Sequence, residues 1–262
     1  MNYIYKVSAF FCLLALGISA QEKYFNLDFI DNGTAIVNLV PENTVLEEEN
    51  GFLQFRGKHM GRTNDIGLPE LPIYSTFFEM QPNTEYEVSY TVRDMYTIND
   101  VKLMPAQQLT QIGSSKPPFK FDEQYYDSSV KFPEENITQG EPIVMRNMEM
   151  FQLSVTPYEY NPTTGTLQVY TEIEIEVKEA GYRDGEPPAL TKRSRLFEEL
   201  FEDIVVNYTP SPNPEDYQTP SILYICGGSS ASDNDIQDLI DWRHKQGYEV
   251  KVATENEVGG NS

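Results

Sequence analysis

Phe151-Gln-Leu153-Ser-Val155-Thr-Pro157-Tyr-Glu-Tyr-Asn161-Pro162-Thr-Thr-Gly165-Thr-Leu167-Gln-Val169-Tyr-Thr171-Glu-Ile173-Glu-Ile175-Glu-Val177 is the stretch that decides the fold class. Phe151, Leu153 and Val155 alternate with polar residues on the way out. Leu167, Val169, Thr171, Ile173, Ile175 and Val177 alternate on the way back, with the period of two that marks half-buried antiparallel strands. Between them Pro162 presets φ and Gly165 can take the positive φ that closes a turn. The spacing predicts one long hairpin. Glu172, Glu174, Glu176 and Lys178 occupy the other face of the return strand. Successive carboxylates on such a face stand about 7 Å apart and point to water, so the face reads as solvated and not as a cation site.

The same texture extends towards the N-terminus. Tyr24–Ile30, Thr34–Val40, Ile73–Met80 and Glu85–Val92 are short runs rich in Val, Ile, Tyr and Phe between turn residues. In the last of these Tyr86, Val88, Tyr90 and Val92 share one face. After Glu179 the character changes. Residues 181–188 form a polar break containing Gly and Pro, and Leu196, Phe197, Leu200, Phe201 and Ile204 then recur at helical spacing. Tyr208-Thr-Pro-Ser-Pro-Asn-Pro-Glu-Asp-Tyr217 carries three prolines in five residues, so it can be neither helix nor central strand and reads as a linker.

Beyond the linker the pattern is α/β. Ile222–Cys226 is a continuous apolar run. Ile236, Leu239, Ile240 and Arg243 make a helical stripe with Ser232 or Asp233 as N-cap and Gly247 as terminator, and Tyr248, Val250 and Val252 form the next strand. One βαβ unit cannot cover both faces of a parallel sheet, so the sequence reads as a fragment of a longer precursor.

The chain has 262 residues, 41 of them Asp or Glu against 19 Lys or Arg, for a formal charge of −22. That charge repels phosphate backbones and anionic membranes, and the one basic cluster, Lys192, Arg193 and Arg195, is too short to reverse it. Nucleic acid is excluded as a partner. Lys6, the apolar run Val7–Ile18 and the small residues ending at Ala20 read as a signal peptide over residues 1–20, too short to span a bilayer. The expected location is therefore secreted, extracellular or at the cell surface, with no membrane association after cleavage. Cys12 leaves with the signal, so Cys226 is the single remaining thiol and no internal disulfide can form.

Chemistry is sparse. His59 lies in a loop, and His244 falls late in the predicted helix, where it complements the dipole. Cys226 ends an apolar strand and behaves as a small hydrophobe. No nucleophile has a base at a suggestive spacing, no cluster has metal-ligand spacing, and no cofactor is expected. Asn32-Gly-Thr34, Asn136-Ile-Thr138 and Asn207-Tyr-Thr209 match the glycosylation sequon.

Gly67-Leu-Pro69-Glu-Leu-Pro72, the hairpin from Pro157 to Ile173, and Phe201-Glu-Asp-Ile204 resemble the propeptide of gingipain-type cysteine peptidases. Ile222–Cys226, Asp235–Arg243 and Gly247–Val252 resemble the opening strand, helix and strand of that family's caspase-like catalytic domain. The resemblance implies a secreted zymogen with a mainly β fold. Its parts would be a signal peptide (1–20), an antiparallel β-sandwich prodomain (21–180), a linker with a short helix and a Pro-rich segment (181–219), and the first βαβ unit of a truncated α/β caspase-like domain (220–262). Such a prodomain assists folding of its own or a related peptidase domain and blocks its cleft. The catalytic His and Cys of the family lie downstream of this chain, and neither His244 nor Cys226 matches them.

The family's blocking loop presents a substrate-like residue. The matching stretch is Gln107–Lys120, with Ile112 and Lys116 as candidates. Arginine-specific members present arginine there, and this stretch has none. Tyr208-Thr-Pro210 resembles a mature start, although Asn207 precedes it; Arg193 and Arg195 are the nearby basic residues, so the processing region comprises Arg193, Arg195, Asn207 and Tyr208. The competing reading is a non-enzymatic exported β-sandwich that serves as an adhesion or binding module.

Overall fold

The computed structural model describes residues 24–57, 61–110, 112–186 and 192–259. The signal segment 1–20 and His59 lie outside them. In chain order the strands are β1 (Phe25–Asp31), β2 (Thr34–Leu39), β3 (Val45–Glu49), β4 (Phe52–Arg56), β5 (Gly61–Arg62), β6 (Pro72–Glu79) and β7 (Thr84–Ile98). A single helical turn, α1 (Glu123–Tyr126), precedes β8 (Ile137–Gln139), β9 (Ile143–Met145), β10 (Met148–Val155), β11 (Tyr158–Asn161) and β12 (Thr166–Tyr182). Then follow β13 (Arg193–Ser194), α2 (Glu198–Ile204), β14 (Tyr217–Gln218), β15 (Ser221–Cys226), α3 (Asn234–Lys245) and β16 (Glu249–Thr254).

Two antiparallel sheets face each other. In the first, β12 is central: β7 runs along one side of it, while β11 and β2 share the other and β1 completes that edge. In the second, β10 is central between β6 and the pair β8 and β9, with β5 beyond β6. Val37, Leu39, Ile173, Ile175 and Val177 of one sheet pack against Tyr74, Phe78, Phe151, Leu153 and Val155 of the other. A second cluster of Phe55, Leu71, Leu103, Tyr158, Tyr160 and Leu167 fills one end. Burial of this scale stabilises the fold without a disulfide, at about 25 cal/mol per Å² of apolar surface.

The long hairpin predicted from residues 151–177 is corrected here. β10 and β12 do not pair; they lie in opposite sheets and touch through their apolar faces. The chain crosses between sheets at Thr156-Pro157, and only the four residues of β11 pair with β12 across the turn. The crossing is held by Asn136. Its Nδ2 donates to the carbonyls of Thr156 (2.7 Å) and Tyr158 (2.8 Å), and its backbone carbonyl accepts from Thr156 N (2.8 Å). Pro157 lacks an N–H, so the break leaves no donor behind. The turn itself is as predicted: Asn161 Oδ1 accepts from Thr163 N, and Gly165 has φ +59° against the backbone of Val101.

β7 is longer than Glu85–Val92. Thr171 and Arg93 drop out of the register on either side of the Glu172–Asp94 pair, so the alternation of apolar residues is lost although the strand continues. Met148 and Met150, on the outer face of β10, are covered by Phe201 and Val205. The helix predicted after residue 195 is α2, and it buries the Phe197, Phe201 and Ile204 side while Leu196 and Leu200 stay exposed. β15, α3 and β16 form the predicted βαβ unit with parallel register. Asp233 caps α3 by accepting from Asp235 N, and Gly247 ends it at φ +90°. Because one helix covers one face, Leu223 and Ile225 are exposed rather than buried.

Candidate functional site: a closed loop and a docked junction

Residues 107–120 leave and rejoin the sandwich beside Gly67–Glu70. Ala106 N donates to Leu68 O (2.7 Å), Gly67 N to Ala106 O (3.0 Å) and Glu70 N to Met104 O (2.9 Å), which fixes the loop's base. The mouth is closed by one side chain. Gln107 Nε2 donates to Lys120 O (2.7 Å) and Gln107 Oε1 accepts from Lys120 N (2.9 Å), so the amide substitutes for a strand pair across the loop. The returning arm is stiffened by Pro117-Pro118, and Phe119 and Phe121 rest on Phe52, 5.8 and 5.7 Å between ring centres. Lys102 Nζ lies 4.8 Å from the Phe52 ring and 5.1 Å from the Phe121 ring.

The two predicted loop residues differ in setting. Ile112 has a relative exposure of 107%, and Leu109, three residues earlier, 88%. Gly113 follows at φ +85° with nothing within 4 Å of the position a Cβ would take, so the turn projects Ile112 outward. Lys116 instead lines a groove of about 210 Å³ that it shares with Glu49 and Glu70. Sequence reasoning named the loop but missed Gln107, whose partner is a backbone group thirteen residues away.

The second region is the junction. Residues 204–207 add to the open edge of β6: Thr76 Oγ1 donates to Ile204 O (3.0 Å) and Val206 N to Phe77 O (2.9 Å). Asn207 finishes this ladder with its side chain. Its Oδ1 accepts from Glu79 N (2.7 Å) and its Nδ2 donates to Glu79 O (2.9 Å). The Glu79 carboxylate pairs with Arg193, whose guanidinium lies 5.5 Å from the Tyr208 ring. Burial pushes the Glu79 carboxyl above its usual range, and Arg193 opposes that shift. Tyr208 packs on Phe201 at 5.5 Å; burial, with Tyr217 and Glu198 adding, pushes its hydroxyl up to about 12.

Three of the four predicted processing residues, Arg193, Asn207 and Tyr208, are thus brought together around Glu79. Arg195 is set apart, over the Tyr217 ring at 5.1 Å. The Asn136 and Asn207 sequons have their amides engaged inside the fold. Cys226 is buried and in no disulfide, and His244 Nδ1 lies 3.2 Å from Tyr248 O at the end of α3. Among the described residues no group of three or more His, Cys, Asp or Glu is placed to hold a metal ion, and no helix is long and apolar enough to cross a membrane.

A disulfide-free sandwich that carries a closed, outward-pointing loop and runs through a docked strand into the opening of a parallel α/β unit has the layout of a propeptide. The Propeptide_C25 family model matches residues 41–211, and the chain belongs to that family. It is a propeptide of the gingipain type. Gingipain R2 of Porphyromonas gingivalis is 26% identical over 198 residues, covering 72% of this chain, and Lys-gingipain of the same organism is 23% identical over 272 residues, covering 94%. The chain spans 26% of the first of these and 16% of the second. The complex of Porphyromonas gingivalis RgpB pro- and mature domains contains a chain that superposes with a TM-score of 0.61 at 21% identity, over 72% of this chain and 98% of that one. A structure concerning the zymogenic latency of gingipain K gives 0.51 at 18% identity, over 63% and 96%. Both likenesses bear on the fold; they take in almost the whole of each neighbouring chain but 72% and 63% of this one.

Proposed function

We propose that this chain is the N-terminal part of a secreted gingipain-type cysteine peptidase precursor. Residues 1–20 direct export, 21–180 form the prodomain, 181–219 the junction, and 220–262 open a caspase-like peptidase domain whose catalytic His and Cys lie further on. The prodomain acts as an intramolecular chaperone and as an inhibitor of its own or a related peptidase domain, and residues 107–120 block the cleft. The observation that carries the reading is the loop, stapled by Gln107 to Lys120 while Leu109 and Ile112 stand in solvent. Large apolar side chains held out on a closed loop are a binding element without its partner. Processing falls in the region of Arg193, Arg195, Asn207 and Tyr208.

The test is made in the precursor that continues past Ser262. The intact precursor should be latent, and a version with residues 108–119 replaced by a Gly/Ser linker should hydrolyse peptide without prior processing. Equal latency with and without the loop, at equal secreted yield, would remove the blocking role.

A further inference from the structure

The loop stands out in charge as well as in shape. In a chain of net charge −22, residues 101–121 contain no Asp or Glu and three lysines, Lys102, Lys116 and Lys120. Lys102 is occupied over the rings of Phe52 and Phe121, which leaves Lys116 and Lys120 to give the loop its outward charge. Lys116 lines a groove of its own fold with Glu49 and Glu70, whose carboxylates pair with Arg56 and Arg62. Ile112 stands in solvent instead. It is the most exposed large apolar side chain among the described residues, on a loop whose mouth and returning arm are both fixed.

A residue that anchors a loop in a partner's pocket gives up its solvent contact there. For Lys116 this would mean leaving the groove it lines on its own fold, whereas for Ile112 it removes a side chain from water and restricts little. A pocket floored by a carboxylate to receive a guanidinium or ammonium would be left with a buried, unpaired charge by isoleucine. We propose that Ile112 is the anchor, and that the peptidase this chain restrains has a primary pocket lined by aliphatic side chains with an acidic rim facing Lys116 and Lys120. Its substrates would then carry an aliphatic residue before the scissile bond, not arginine or lysine. This rests on the reading that residues 107–120 block the cleft. Leu109, three residues before Ile112 and also in solvent, adds a second apolar contact and marks the cleft as apolar beyond a single pocket.

The experiment uses the full precursor and its mature peptidase. Fluorogenic peptides differing only before the scissile bond should be cleaved with kcat/KM at least about tenfold higher for Ile, Val or Leu than for Lys or Arg, the range a hydrophobic pocket can supply. In the unprocessed precursor I112D should raise basal hydrolysis by about tenfold or more, and by clearly more than K116A does, both with unchanged secreted yield and melting temperature. A preference for Lys or Arg, or release by K116A but not by I112D, would overturn the assignment of Ile112. If the Gly/Ser-loop precursor is active while I112D stays latent, the blocking role stands and the anchor is wrong; if both stay latent, the blocking role itself has failed.

Discussion

Replacing Asn207 by alanine isolates the contact on which the junction turns. The substitution removes two hydrogen bonds, from Glu79 N at 2.7 Å and to Glu79 O at 2.9 Å, and leaves the packing of Phe201 and Val205 untouched. At a net of about 1 kcal/mol per hydrogen bond the docked strand loses ~2 kcal/mol, because water reaches the edge of β6 once the strand lifts. A loss of that size raises the undocked population about thirtyfold, since each 1.4 kcal/mol is about a factor of ten. The undocked form exposes residues 204–210 to proteases. Limited proteolysis of the whole chain with mass mapping, at protease levels low enough that cleavage reports the open population, should show cuts in that segment rising by about that factor. Exchange of the Val206 amide, bonded to Phe77 O at 2.9 Å, should speed up in parallel while amides of β10 and β12 do not change. N207D should be at least as damaging, because one carboxylate oxygen would then face the Glu79 carbonyl. Cleavage and Val206 exchange within twofold of the parent would refute the idea that Asn207 holds the junction.

The remaining expectations concern the sheet crossing and pH. Asn136→Asp keeps the size of the side chain but sets a carboxylate against the carbonyls of Thr156 and Tyr158, so it should cost about 3 kcal/mol and lower the melting temperature by several degrees in a calorimetric scan; an unchanged transition would show that the crossing does not need that amide. The Tyr208 hydroxyl is held up to about 12 in the docked state against an ordinary value near 10, so the docked junction binds the proton more tightly than the open one. Its contribution is intact below pH 10 and is lost as pH rises from 10 towards 12, which a 295 nm titration of the parent against Tyr208→Phe should display as a missing late component.

What the sequence discloses, and what it hides, follows from how far each signal reaches. Alternation at Phe151, Leu153 and Val155 reports that one face of a strand is buried, and it is. It carries nothing about which strand lies alongside. Two alternating runs joined by a turn look identical whether they pair edge to edge or face each other across a core, and only Pro157 marks the place where the ladder must break. The same limit applies to α2, where Leu196 and Leu200 make as good a stripe as Phe197, Phe201 and Ile204. Which stripe is buried depends on Met148 and Met150, fifty residues earlier. The loop was legible as a stretch and not as a shape. Lys116 and Ile112 are equal candidates until Gly113 is seen to turn one outward and Glu49 and Glu70 to border the groove of the other.

The loop and the junction are not separate attachments to the sandwich. Gly67–Glu70 receives the loop's base through Leu68 and Glu70, and the chain then runs directly into β6, whose last residues, Thr76 to Glu79, receive the junction strand. One short segment therefore positions both elements. β6 is anchored along its length by Tyr74 and Phe78 in the core and by six paired residues of β10, so it cannot shorten or slide. With a rise of about 3.3 Å per residue, the strand sets the two elements roughly 25 Å apart. A partner that engages the loop with one part of its surface meets the junction at a fixed distance. The Gly67-Leu-Pro-Glu-Leu-Pro72 run thus has a physical role: its prolines stiffen the approach to β6, and its backbone groups at Gly67, Leu68 and Glu70 are spent on holding the loop.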